Sequence, residues 1–396
     1  MIKWDDKKTD PNDRIYTGGA MNLDFSNEQT MIKAEAANFL KKECPYDRVK
    51  ELEESEEGYD PQMWKKMAEL GWMALLFPQE YEGDGGEFMD TALILEAMGS
   101  MVTPSPFFST VVQCGLTLLE GGTEEQKKKL IPQIIDGKLI MALAQYEEDG
   151  SYEVKDIHFK AKAQDNSYVL NGVKLFVMDA NIADKMVVVA KTDKNQISLL
   201  LVDTDLPGIT ITKMPTVAMD NNCEVIFKNV KVPKESIIGQ AGNAESVLKN
   251  MNLKAAILKS AEMLGGCKTV IDMTTEYAKQ RIQYSVPIGG FQAIQHFIAN
   301  MLIAYDTNIN YLYRVICKVD QGEDFEIDAY GLKANVNDAY NFISERGVHI
   351  HGAIGTTREG NPGLFYHKAK ACEFVCGDTP NFFEKMFDKL MEKVAA

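Results

Sequence analysis

Hydrophobic positions follow three successive regimes along the chain. From about residue 22 to 137 their spacing is helical. Ser26 with Gln29 has the capping-box pattern and opens a helix that runs toward Cys44. Asp60-Pro61 supplies an N-cap and a proline at the first helical position, with Gly71 at the far end. Residues 88–98 form a strongly apolar segment that carries Asp90 and Glu96, and Thr123-Glu-Glu-Gln126 is a second capping box ahead of Leu130 and Ile131. From about 138 to 243 the period shortens to that of strands. Residues 157–163 alternate, residues 168–170 and 173–177 flank Asn171-Gly172, which reads as a hairpin turn, and residues 186–190 and 197–202 are further strands. Beyond 244 the helical period returns over 244–264, 268–281, 291–319 and 327–345, which predicts a four-helix bundle, with a shorter helix over 381–394.

The expected fold class is therefore α+β: an N-terminal helical domain (22–137), a middle antiparallel β-barrel domain (138–243) and a C-terminal four-helix bundle (244–396). Residues 1–21 read as a tail or leader. A length of 396 residues suits two or three domains. No apolar run reaches the roughly 18 residues of a membrane span. The net charge of -16, from 42 basic and 58 acidic residues, argues against a nucleic-acid partner, which calls for a basic face. It leaves room for a small nucleotide-bearing ligand, which needs only a local basic pocket. Seven scattered cysteines, with no CxxC pair and no signal peptide, suggest a reduced, cytoplasmic protein, and no metal-ligand set is read. The first ten residues carry too many acids for a mitochondrial transit peptide.

One segment changes this picture. Arg281-Ile-Gln-Tyr-Ser-Val-Pro-Ile-Gly-Gly-Phe-Gln-Ala-Ile-Gln-His296 resembles the flavin-binding signature of the acyl-CoA dehydrogenase family, Arg-x-Gln-Phe-Gly-x-Pro-Ile-x-x-Phe-Gln-x-Ile-Gln. Gly122-Thr-Glu-Glu-Gln126 and Asn171-Gly172-x-Lys174 carry the same resemblance, which extends over essentially the whole chain after Met21. The family fold has the same order of helices, small β barrel and four-helix bundle. The resemblance implies FAD as cofactor, desaturation of an acyl-CoA at Cα–Cβ, transfer of electrons to an electron-transfer flavoprotein, and a homotetramer or a heterotetramer with a paralogous subunit. By the same resemblance Arg281 and Gln283 reach the pyrophosphate of FAD held mainly by a neighbouring subunit, with Tyr284 standing for the usual aromatic and Gln292 nearby. Val348-His-Ile-His-Gly-Ala-Ile-Gly355 resembles the family's Gln-x-x-Gly-Gly-x-Gly loop, with His349 at the glutamine, Gly352 kept and Ala353 at the second glycine. The Thr-Glu-Pro-x-x-Gly-Ser-Asp and Trp-Ile-Thr patterns that wall the flavin ring correspond to residues 144–151 and 176–178. Gly150-Ser151 survives, Phe176 keeps the aromatic wall, and Ala144 and Met178 replace the hydroxyls.

The family's reaction needs a base for the α-proton. Its usual glutamate precedes a Gly-Thr pair near the C-terminus, and here Cys376 stands at that place, followed by Gly377-Asp378. In some members the base lies in an Asp-x-Glu-Arg motif, and the matching stretch here puts Lys254 at the glutamate and Ala255 at the arginine. Four readings stay open. Asp378 acts as a displaced base, against the plainer reading of a helix N-cap before Asn381. Asp90 reaches the pocket from the N-terminal domain, its pKa raised by burial. Cys376 acts as a thiolate, against its ordinary pKa near 8.5. Or the chain is the base-lacking subunit of a hetero-oligomer. A different chemical class, elimination or decarboxylation of an activated acyl-CoA, also fits a site without a strong base.

Overall fold

The computed structural model describes residues 25–192 and 196–395. The tail or leader expected over 1–21 lies outside the described residues. The N-terminal helices are α1 (Asn27–Glu43), α2 (Tyr46–Glu54), α3 (Pro61–Glu69), α4 (Phe88–Met101), α5 (Gly115–Gly121) and α6 (Glu124–Ile135). Both capping boxes form: the Gln29 amide donates to Ser26 Oγ and the Gln126 amide to Thr123 Oγ1. Asp60 caps α3 by accepting from the Gln62 and Met63 amides, and Gly71 adopts φ 78 just past its end. A seven-residue π-helical segment, Phe108–Cys114, leads straight into α5. Wide-bore segments of this kind are rare and tend to mark functional sites.

The middle domain is a curled seven-stranded sheet made of β1 (Met141–Ala144), β2 (Lys160–Gln164), β3 (Ser167–Met178), β4 (Lys185–Lys191), β5 (Ile197–Asp203), β6 (Ile209–Lys213) and β7 (Asn222–Pro233). The strand order is β1-β4-β2-β3-β7-β6, with β5 added on β4. Four pairings are antiparallel, while β1 and β2 each meet β4 in parallel. The hairpin expected at Asn171-Gly172 is corrected. β3 runs unbroken through both residues, and the turn before it is Asp165-Asn166. Asn171-Gly172 instead sits at a register shift against β7. Asn171 Oδ1 accepts from the Asn229 amide at 2.9 Å, and Gly172 has φ 142 with a Phe159 ring atom 2.8 Å from where a Cβ would stand.

The C-terminal domain contains α7 (Ala244–Gln280), the small hairpin β8 (Ile282–Gln283) and β9 (Val286–Pro287), α8 (Gln292–Asp320), α9 (Glu326–His351), α10 (Ala353–Thr356), α11 (Pro362–Glu373) and α12 (Thr379–Ala395). The two helices expected over 244–264 and 268–281 are one helix of 37 residues. Gly265-Gly266 does not end it, because these glycines serve packing. A Cβ on Gly265 would stand 1.9 Å from the Glu96 carbonyl oxygen of α4, and one on Gly266 would stand 2.4 Å from the Tyr340 hydroxyl of α9. Gly99 of α4 answers in kind, 1.7 Å from the Glu262 carbonyl. Backbone thus meets backbone where α4 crosses α7. One contiguous apolar core runs from Ala36 in α1 through the sheet to Phe382 in α12. Among the described residues no helix is long and apolar enough to cross a membrane.

Candidate active site

A small cavity of about 70 Å³ lies where the three domains meet. Leu95, Met98 and Thr103 line it from α4 and the turn beyond, Phe108 from the π-helical segment, Met178 and Asp179 from the end of β3, and Lys259 and Glu262 from α7. α11 adds Lys368 and Cys372. Lys259 and Glu262 lie one helical turn apart, so α7 presents both to the cavity from one face. Lys254 faces elsewhere: its ammonium pairs with Glu120 of α5 at 2.5 Å.

The cavity is charged. Glu262 is ion-paired with Lys259 and, through its other oxygen at 3.4 Å, with Lys368. Lys259 is 2% exposed, and its ammonium sits 3.7 Å from the Phe108 ring centroid. Burial works against the Glu262 charge, yet the two ammoniums outweigh it and hold its pKa below the ordinary value. On the β side Asp179 is buried, and burial pushes its pKa up to about 6 against hydrogen bonds from the Ser109 hydroxyl (2.5 Å) and the Asn221 amide (3.2 Å). Burial likewise lifts Glu53 to about 7 against the pull of Lys368 and Arg358. The Thr103 hydroxyl and Asn221 Oδ1 are buried without a hydrogen-bond partner. Sequence reasoning passed over Lys259, Glu262 and Asp179. The available signal was a lysine and a glutamate three residues apart inside the otherwise apolar run 255–266.

Of the residues expected to wall the flavin, Phe176 and Met178 lie on β3. They are two residues apart at the end of the strand, next to a register shift, and Met178 also lines the cavity. Phe176 has φ 51 at a register shift between Lys174 and Val177 and is 50% exposed, an aromatic ring held out in a costly conformation. Ala144 is wholly buried in β1, and the polar side chain at this place is that of the next residue. Gln145 is buried, its Oε1 has no partner, and its backbone oxygen accepts from the buried Lys174 ammonium at 2.9 Å. The exposed Phe176 face fits a planar aromatic ligand. Ser151 is drawn into its own loop: its hydroxyl donates to Asp156 and accepts from the Glu153 amide.

The second group of residues expected at the cofactor lies on the surface. Arg281, Gln283, Tyr284 and Gln292 are all exposed, Tyr284 at 90%. Arg281 makes no side-chain hydrogen bond or ion pair with any described residue. Tyr284 and Ser285 both have positive φ, so a tight two-residue turn holds the arm in shape without glycine. His349, Gly352 and Ala353 are exposed at the end of α9 and the start of α10, with His349 against Phe297 and open space around Gly352.

The expected bases fare differently. Asp90 is not at the cavity. Its Oδ2 accepts from the Glu87 amide at the first turn of α4, and although burial raises its pKa, the carboxylate serves a capping box. Asp378 caps α12 by accepting from the Asn381 amide at 2.9 Å, as its plainer reading has it. Cys376 is buried with φ 68. Burial raises its pKa to about 11 despite Lys333 and Lys259, so its thiol is neutral near pH 7. No carboxylate occupies the family's usual base position.

Models of the acyl-CoA dehydrogenase N-terminal, middle and C-terminal domains match residues 26–138, 142–230 and 245–380. A probable acyl-CoA dehydrogenase of Bacillus subtilis is 29% identical over 364 residues, covering 89% of this chain and 95% of the relative. Butyryl-CoA dehydrogenase from Megasphaera elsdenii superposes with a TM-score of 0.87 at 25% identity, covering 94% of this chain and all of that one. A chain of the ChsE4-ChsE5 complex from Mycobacterium tuberculosis shares the fold, with a TM-score of 0.85 at 22% identity over 94% of this chain and 99% of that one. Its three matched domains, in the order the fold displays them, make this chain a member of the acyl-CoA dehydrogenase family, flavoprotein oxidoreductases of acyl-CoA metabolism.

Proposed function

We propose that the chain is an FAD-dependent oxidoreductase acting on the Cα–Cβ bond of an acyl-CoA, with an electron-transfer flavoprotein as electron partner and a tetramer as working form. The observation that carries this reading is an exposed aromatic ring, Phe176, two residues along β3 from Met178, which lines the charged cavity. Phe176 would offer its exposed face to the flavin ring. Arg281, Gln283 and Gln292 of a neighbouring copy, together with His349, Gly352 and Ala353, would hold the diphosphate and adenosine. FAD, when bound, supplies the acceptor for the β-hydride. The seven cysteines are all unpaired, as in a reducing cytoplasm. Reconstitution with FAD, followed by anaerobic addition of an acyl-CoA, tests the reading. The visible flavin band is expected to appear and then bleach, and a protein that takes up no flavin overturns it.

A second reading is favoured by one observation. With Cys376 neutral and both Asp90 and Asp378 committed to helix ends, the chain lacks the usual base and suits the base-lacking subunit of a hetero-oligomer. Co-expression with a paralogue that carries the glutamate, followed by sizing and assay, tests it. Ordinary turnover by the isolated chain sinks it.

A further inference from the structure

The cavity beside Met178 is not a hydrocarbon pocket. A site for a plain acyl chain gains by burying apolar surface and loses whenever a charge is stranded in it. This one holds two ammoniums, Lys259 and Lys368, that share the single carboxylate of Glu262. Lys259 lies on the α7 stripe that faces the cavity, covered on one side by the Phe108 ring. Each ammonium has three N–H donors. Among the described residues, the hydrogen bonds and ion pairs of Lys259 are confined to Glu262, and those of Lys368 likewise. The Thr103 hydroxyl is a further donor with no partner.

The opposite wall is acidic, but its acids are already satisfied. Asp179 accepts from Ser109 and Asn221, and Asp220 accepts from Thr216 and from the Asn222 amide at 2.9 Å. Glu53 lies beyond them on α2 and is half-buried. Unfilled hydrogen-bonding capacity therefore sits mainly on donors, at the α7–α11 side. A buried surplus of N–H donors, two ammoniums beside one directly paired carboxylate, suits an anionic acceptor; Asp220, Asp179 and Glu53 compensate the charge of Lys368 from a distance without filling those donors.

Size restricts the choice. A cavity of 70 Å³, at roughly 12 Å³ of such space per water-sized atom, has room for about five or six heavy atoms.

We infer that this pocket selects a short acyl group whose far end carries a carboxylate, gripped by Lys259 and Lys368 across Glu262. The inference rests on the acyl-CoA reading above and adds the substrate class to it. The carboxylate slots between the two ammoniums, and Thr103 supplies a third hydrogen bond. Glu262 keeps the pair of lysines in place when the pocket is empty. Lys259 and Lys368 are specificity residues in this scheme and take no proton from the substrate.

The test compares three CoA esters on the FAD-reconstituted protein: glutaryl-CoA, its apolar match in shape 5-methylhexanoyl-CoA, and 5-aminopentanoyl-CoA. Dissociation constants come from calorimetry, which reads binding whether or not the flavin is reduced. Glutaryl-CoA is expected to bind about tenfold or more tighter than 5-methylhexanoyl-CoA, the worth of one charge-assisted hydrogen bond. In Lys259→Met that preference is expected to vanish through weaker glutaryl-CoA binding. Equal or tighter binding of 5-methylhexanoyl-CoA by the unaltered protein overturns the inference, and so does a preference that survives in Lys259→Met. Tightest binding of 5-aminopentanoyl-CoA overturns it in favour of the Asp179 wall. Should Lys259→Met not fold, the three-ester comparison on the unaltered protein decides alone. If none of the three esters nor butyryl-CoA binds, the acyl-CoA reading itself has failed. If butyryl-CoA binds and glutaryl-CoA does not, only the inference has.

Discussion

At the scale of single residues the site combines what the chain announces with what it conceals. Cys376 stood out from the sequence because a family motif surrounds it, and the structure adds its neutral thiol. Replacing Cys376 by glutamate restores a carboxylate at the usual position. The replacement is also already at positive φ, so it adds no new backbone strain relative to cysteine. Flavin reduction by an acyl-CoA is expected to accelerate by about 100-fold or more, the contribution of a positioned general base, measured by anaerobic stopped-flow bleaching. An unchanged rate would mean that another group already does this work. Phe176→Ala is expected to weaken FAD binding by about tenfold in a fluorescence titration, because the stacked face is lost. Lys259 and Glu262 stayed hidden for a physical reason. Periodicity reports which residues are buried on average, and a buried ion pair violates the pattern without saying which cavity it serves.

At the scale of elements, legibility followed local chemistry. Capping boxes at Ser26 and Thr123 and the Asp60 cap were readable because their partners lie within three residues. Asn171-Gly172 and Gly265-Gly266 misled because the same residues serve both local turns and distant contacts. Sequence alone does not say whether a glycine frees a dihedral or clears room for a neighbour. Gly172 does both, facing Phe159, whereas Gly265 and Gly266 clear room for α4 and α9. The crossing of α4 and α7 should therefore be intolerant of a single methyl group. Gly99→Ala is expected to cost at least about 1–3 kcal/mol, read as a lower denaturant midpoint at unchanged slope. A midpoint within error of the original would show that the two helices can part cheaply.

For the whole molecule, three carboxyls with raised pKa values, Glu53, Asp179 and Asp320, set a pH dependence. Burial raises Glu53 to about 7, and Asp179 and Asp320 to about 6. These groups bind protons more tightly folded than unfolded. The stability they add is complete below their unfolded values near 4 and is lost as pH rises through 6 to 7. The thermal midpoint is expected to be higher at about pH 5 than at about pH 7.5, and Asp320→Asn should shrink that difference; a midpoint that climbs with pH contradicts the assignment. Fold order and cofactor class were visible from the chain because they depend on long patterns. Which side chains converge on the cavity was not, since α4, β3, α7 and α11 bring them from separate parts of the sequence. The outstretched Arg281 arm carries one more consequence. In the proposed arrangement, where a second copy completes the site, two equilibria are coupled, so flavin retention is expected to obey mass action in protein as well as in flavin. Dilution alone should release the cofactor, with fluorescence recovering as the copies part, and the concentration at half-release would measure how strongly the subunits hold one another.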